Sequence, residues 1–221
     1  MDVYEAVTSR RAVRGFTDRH IPKDVLKRVV AAAAWSPSGS NLQPWNSYLV
    51  TGAPLAELKK RAGERVAAHD AWDEREYEMY PPELKSPYRE RRSAFGHERY
   101  SALGIAEGDW EARQRTASAN WDCFGAPAAL FCYIDRKLGA PQWADVGMYL
   151  QTVMLLLRGE GLHSCTQMAW SVYRKTVAEV LSPPEGLTLF CGMSIGYEDV
   201  TVPYVRTGRA PINETITFVD G

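Results

Sequence analysis

Residues 143–158, WADVGMYLQTVMLLLR, restrict the possible folds more than any other stretch of the chain. The run predicts a helix that is apolar on nearly every side, with Gly159 and Gly161 just past its end. Such a helix cannot lie on a solvated surface. It has to be central, in a large core or in an interface between subunits. It is short for a bilayer span and carries Asp145, Gln151 and Thr152. A chain of 221 residues can supply that core as one large domain, or as one domain with an excursion.

The segments around it alternate between helices and short apolar strands. PAALFCYI (127–134) and LTLFCGMSIGY (187–197) are continuous apolar runs and predict buried strands. WNSYLVT (45–51) predicts a strand ended by Gly52, and HSCTQMA (163–169) a strand followed by a loop. Asp2 is placed to cap a first helix reaching about Arg10, with Glu5 as its capping-box partner. Pro22 opens a helix over 22–35, with Val25, Leu26, Val29, Val30 and Ala33 at helical spacing and Ala31–Ala34 small enough for close packing. Pro54 opens another, with Leu55, Leu58, Ala62 and Val66 on one side. A helix from Val172 to Leu181 stops at Pro183–Pro184. TITFVD (215–220) predicts a last strand. With no repeat and no linker, residues 1–221 are expected to form one domain of α/β or α+β class.

Residues 69–115 differ in character. They mix charges of both signs with Trp72, Tyr77, Tyr80, Tyr88, Phe95 and Tyr100. The segment reads as a solvated helical excursion or as a mobile lid whose aromatics close over a flat substrate, and the aromatic density favours the lid.

Hydrophobic residues make up 45% of the chain and charged ones 24%, and the net charge is −1. A balance so close to neutral gives no general attraction for nucleic acid or an anionic membrane. The opening MDVYEAVTSRR lacks an apolar signal core, and Asp2 and Glu5 argue against a transit peptide, so a cytoplasmic protein is expected. Cys123, Cys132, Cys165 and Cys191 form no C-x-x-C pair and are expected as buried reduced thiols. His20, His69, His97 and His163 have no metal-ligand spacing, and no metal is expected.

Three patterns bear on chemistry. GMSIG (192–196) fits G-x-S-x-G, but YEDVTVP follows it where a nucleophile elbow needs a helix, and no His lies beyond His163. Ser194 is therefore not expected to be a nucleophile, and the two glycines are expected to let the backbone pack closely. The second pattern is basic. Arg10, Arg11 and Arg14 fall within SRRAVR, with Arg10 and Arg14 on one helix face if the first helix continues, and Arg206 and Arg209 fall within VRTGRAP. Two guanidinium clusters at opposite chain ends suit the oxygens of one phosphate group if the fold brings them together. The third is SPSGSNLQPW (36–45), a loop of small hydrogen-bonding residues closed by an indole. It suits either an ordinary turn or a cradle for a flat polar ligand.

SRRAVRGF followed by SPSGSNLQPW resembles the N-terminal signature of the FMN-dependent nitroreductase family. FGAPAALF, DVGMYLQTVMLLLRGEGLHSC, CGMSIGY and RTGRAPINE extend the likeness, in order, over nearly the whole chain. The resemblance implies an α+β, nitroreductase-like fold, in which a central, mostly antiparallel sheet is flanked by helices in an intertwined homodimer. The C-terminal strand would then cross to the partner's sheet. It also implies FMN as cofactor, NADPH or NADH as electron donor and a small aromatic substrate.

Carried onto this chain, the family pattern places Arg10, Arg11 and Arg14 near the ribityl phosphate and the pyrimidine edge of the flavin, with Arg206 and Arg209 joining at the phosphate. Ala12 stands where many members have Ser or Thr, so one contact is expected to be missing. Pro37, Ser38, Gly39, Ser40, Asn41 and Gln43 would line the flavin and ribityl chain from the other subunit, with Trp45 as packing. Thr166, Gln167, Met168 and Ala169 match the loop beside the isoalloxazine ring. Many members have Lys where Thr207 stands, with Arg206 as a substitute one residue away. The implied reaction is a ping-pong reduction of nitroaromatic or quinone-like acceptors and needs no catalytic side chain. Alternatives within the same fold are a reductive dehalogenase and a non-catalytic flavin-binding protein.

Overall fold

The computed structural model describes residues 1–219. In chain order the elements are α1 (Val3–Ser9), α2 (Lys23–Ala33), β1 (Asn46–Thr51), α3 (Gly52–Ala67), α4 (Tyr88–Ala102), α5 (Trp110–Ser118), β2 (Ala128–Asp135), α6 (Ala140–Gly159), β3 (His163–Gln167), α7 (Arg174–Leu181) and β4 (Leu187–Gly196). The strands form one sheet in the order β1-β2-β4-β3, antiparallel throughout. This is the α+β arrangement expected from the sequence.

β2 and β4 lack the usual alternation of apolar and polar residues because they are central and helices cover both faces. On one face Leu130, Cys132, Ile134, Cys191, Met193 and Ile195 pack against Leu26, Val29 and Ala33 of α2 and against α6. On the other, Ala129, Phe131, Tyr133 and Leu189 pack against Leu55, Leu58 and Ala62 of α3, Trp170, and Val177 of α7. Gly192 and Gly196 sit on this second face. A Cβ on Gly192 would lie 2.5 Å from Trp170 Cδ1, and one on Gly196 2.8 Å from Phe16 Cδ1. The GMSIG motif is therefore strand, with glycines that admit two aromatic rings. Ser194 between them is fully buried and donates to Gln167 Oε1.

α6 begins at Ala140, earlier than the apolar run, because Gly139 caps it and Pro141 suits its first turn. Val146, Tyr149, Leu150, Val153 and Leu157 form its buried stripe. Met148, on another side, is exposed, so a single chain buries only part of this helix. α2 ends sooner than predicted, and of Ala31–Ala34 only Ala33 packs; the other three and Trp35 are exposed. Pro22 is the cap of α2 rather than its first residue. α1 ends at Ser9.

The 69–115 segment divides in two. Residues 70–80 form a strap tied to the core at Asp73 and Tyr77. Asp73 is buried, accepts from Lys175 N at 2.8 Å and pairs with Arg65 at 3.1 Å. The Tyr77 hydroxyl donates to the Phe190 carbonyl, and its ring packs edge-on to Trp143. α4 and α5 bury no residue, and together with the mostly exposed 81–87 connection they have the exposure expected of a lid. The predicted C-terminal strand is unpaired over 215–219, and residue 220 lies outside the described residues.

All four thiols are free and buried. Burial pushes Cys123 and Cys132 up to about 12. Among the described residues no helix is long and apolar enough to cross a membrane.

Candidate functional site

Arg10 caps α1 with extended backbone angles (φ −63°, ψ 131°), and the chain then runs alongside β3. Ala12 bridges Ser164 in parallel, and Val13 N donates to the Ser164 carbonyl at 3.1 Å. Arg10 and Arg14 therefore do not share a helix face, because the α1 ladder stops where this pairing begins. Their spacing of four also suits one side of an extended segment, since side chains there alternate with period two.

The second basic segment returns to the same place. Phe16 pairs with Glu198, and Asp199 N donates to the Gly15 carbonyl at 2.9 Å. Gly15 permits this approach, because a Cβ there would lie 2.5 Å from Val202 Cγ2. The need for glycine here becomes visible only once the tail is in place.

A cavity of about 700 Å³ opens where the two segments meet α4. Arg10, Arg11, Arg14, Arg99, Arg206 and Arg209 line it, and Glu198 and Asp199 are the only carboxylates among the residues that do. Arg11 is engaged already, paired with Glu198 and stacked over Tyr204 at 3.9 Å. Arg206 donates to the Thr8 carbonyl at 2.7 Å, and Arg209 folds onto the Thr207 carbonyl at 3.0 Å. Among the described residues Arg10, Arg14 and Arg99 make no ion pair. Phe95, Ala102, Leu103 and Phe124 give the same cavity apolar walls. A concave site with apolar walls and surplus guanidinium groups suits a flat ligand that carries a phosphate.

The 36–45 loop lies elsewhere on the chain and contributes no residue to this cavity. Ser40, Asn41 and Gln43 all have left-handed φ (50°, 56° and 49°), a concentration of strain in non-glycine residues typical of sites that shape a ligand pocket. The strain is held by Gln43 N donating to Ser38 Oγ at 2.9 Å and by Gly39 N donating to Asp145 Oδ2 at 3.2 Å. Asp145, a buried carboxylate of α6, is thus the anchor of the loop, a role its sequence context did not reveal. Pro37, Gly39, Ser40, Asn41 and Gln43 are exposed. Trp45 stacks on Tyr149 with ring centroids 4.8 Å apart and is packing, as expected.

Thr166 is exposed on the edge strand β3, and Met168 and Ala169 are half-buried. The Gln167 side chain points inward, donating to the Asn120 carbonyl at 2.7 Å and accepting from Ser194, so only its backbone is left to face a ligand. One chain therefore assembles Arg10, Arg11, Ala12, Arg14, Arg206 and Arg209, and leaves Pro37–Gln43 and Thr166–Ala169 outside their cavity.

The profile of the Nitroreductase family matches residues 7–197. A 4-nitrobenzoate reductase of Nocardioides sp. (strain LMS-CY) is 33% identical over 230 residues, covering 99% of this chain and 91% of that protein. A nitrobenzene nitroreductase of Ectopseudomonas oleovorans is 32% identical, covering 97% and 96%. The crystal structure of the FMN and NADPH-dependent nitroreductase NfnB from Sphigopyxis sp. strain HMH superposes with a TM-score of 0.95 at 37% identity over the whole of both chains.

Proposed function

The chain belongs to the nitroreductase family, and from that premise we propose that it is an FMN-dependent NAD(P)H oxidoreductase that reduces nitroaromatic and quinone-like acceptors. The observation that carries this reading is the convergence of Arg10, Arg14, Arg206 and Arg209 on one cavity from opposite ends of the chain. Bound FMN would supply the redox chemistry, taking a hydride from NAD(P)H and passing it to the acceptor.

The residues of the chain hold and orient. Arg10, Arg206 and Arg209 take the phosphate, with Arg11 held beside them by Glu198. Arg14 would lie toward the pyrimidine edge of bound flavin, where its positive charge would stabilise the reduced form. Ala12 offers only backbone. The backbone N–H groups of Thr166–Ala169, at the end of β3 and just after it, would address the ring edge. Donor and acceptor would use the same slot in turn, a ping-pong order, with α4 and α5 excluding water above it.

The reading includes a homodimer. Pro37, Ser38, Gly39, Ser40, Asn41 and Gln43 are shaped for a ligand but stand away from their own chain's arginines, so a second copy would bring them to the flavin. The exposed Met148 of α6 and the exposed Ile212, Ile216 and Phe218 of the tail are apolar surface that such a partner would cover. Four buried free thiols suit a reducing compartment, in keeping with a cytoplasmic site of action.

The visible spectrum of the purified protein tests this. Flavin bands that bleach on anaerobic NADPH and return on adding nitrobenzene support it. A flavin that neither NADPH nor NADH bleaches points to a binding protein or a dehalogenase. A colourless protein that FMN cannot reconstitute overturns the reading.

A further inference from the structure

Three arginines of α4, Arg91, Arg92 and Arg99, carry charge that a carboxylated substrate could meet, and their surroundings separate them. Arg91 pairs with Glu214 at 2.9 Å, and Arg92 stacks over Tyr80 at 4.2 Å, so both are engaged. Arg99 alone of the three lines the arginine cavity. Phe95 stands one helical turn before it on the same face of α4, and the Arg14 guanidinium lies 5.7 Å from the Phe95 ring centroid. Arg14 and Arg99 thus bracket an aromatic wall, with Ala102 and Leu103 beside it. Neither has a carboxylate partner among the described residues. Burial and the nearby Arg14 charge both lower the pKa of Arg99.

The charge balance of the cavity points the same way. Six guanidinium groups face two carboxylates, a surplus of four positive charges. A phosphate group supplies about two negative charges, which leaves about two positive charges unmatched. Resting on the flavoenzyme reading above, we infer that Arg99, acting with Arg14 beside the Phe95 ring, selects acceptors that carry a carboxylate on the aromatic ring over neutral ones. The relatives do not make this choice, since a nitrobenzoate reductase and a nitrobenzene reductase are about equally similar to the chain.

4-Nitrobenzoate and 4-nitrobenzamide have the same ring and nitro group and differ in charge. Binding of each to the oxidised, FMN-loaded protein is measured by calorimetry, and kcat/KM for each under NADPH, for wild type, Arg99→Ala and Arg99→Lys. Wild type is expected to prefer the acid. Arg99→Ala should weaken its binding and kcat/KM by about ten- to hundredfold, the range for a hydrogen bond to a charged group. The amide should change by no more than about threefold, and Arg99→Lys should recover part of the loss. Equal losses for both compounds, or release of FMN from Arg99→Ala, would overturn the inference by giving Arg99 a structural or phosphate-holding role. Arg99-dependent binding of the acid by a protein that NADPH cannot reduce would sink the enzyme reading and leave the anion site standing. Turnover of both compounds with no preference in the wild type would do the opposite.

Discussion

Replacing Gly15 with alanine should loosen the hold of the cavity on FMN at a modest cost in stability. The new Cβ would lie 2.5, 2.7 and 3.0 Å from Val202 Cγ2, Cβ and Cγ1. Carbon atoms rest at about 3.5–4.0 Å, so the segments must part by about 1 Å. The Gly15 side is fixed by pairing to Ser164 and Phe124, whereas much of 198–209 is exposed, so the tail is the side that moves. Overpacking of this kind costs about 1–3 kcal/mol, which at this chain length lowers Tm by about 2–4 °C per kcal/mol. The tail carries Arg206 and Arg209, and a charge-assisted bond of about 2.7–2.9 Å does not survive a shift of 1 Å. Losing one such bond, at about 1.5–3 kcal/mol, raises the Kd for FMN by roughly ten- to hundredfold. Flavin fluorescence quenching on titration into apoprotein gives the Kd, and melting of the same apoprotein gives the stability term separately. If Tm falls while the Kd for FMN stays at the wild-type value, the tail arginines do not hold the phosphate and the assignment fails.

Three further outcomes follow from particular contacts. Asp145→Ala removes the acceptor of Gly39 N; the strained 38–43 loop should exchange its amides faster, and FMN should bind more weakly, in hydrogen exchange and flavin titration. Burial and the nearby Arg158 and Arg11 charges, opposed by Glu198, lower the pKa of His163. The unfolded chain therefore binds more protons as the pH falls through about 6.5, so stability is present above that value and lost below it; His163→Gln should flatten the fall in Tm between pH 7.5 and 5.5. The four buried thiols should ignore a thiol reagent at about pH 8 until the protein unfolds, then react together; fast labelling of the native protein would contradict their burial.

The sequence by itself determined the central strands, the type of most helices and the chemistry each end of the chain carries, but not the C-terminal strand it suggested over 215–220. Short continuous apolar runs at 127–134 and 187–197, bounded by turn residues, read as strands covered on both faces, and a helix as apolar as 143–158 has to pack in a core or a subunit interface. The non-helical YEDVTVP after GMSIG, with no His beyond His163, argued against a nucleophile elbow, and the burial of Ser194 agrees. Whether the two arginine clusters meet was a question of distance across nearly two hundred residues, and pairing of Phe16 with Glu198 answered it. Pairing of Ala12 with Ser164 ended α1 at Ser9, because the edge strand β3 offers the backbone after it better partners than another helical turn. Local pattern could not reveal Gly15, whose glycine requirement comes from Val202, or Asp145, whose partner is Gly39. It could not separate Arg99 from Arg91 and Arg92 either, since side chains on one helix differ only in what the rest of the fold places against them. Composition and periodicity are properties of neighbours in the chain, whereas a site is made by neighbours in space, and only the tertiary structure decides who they are.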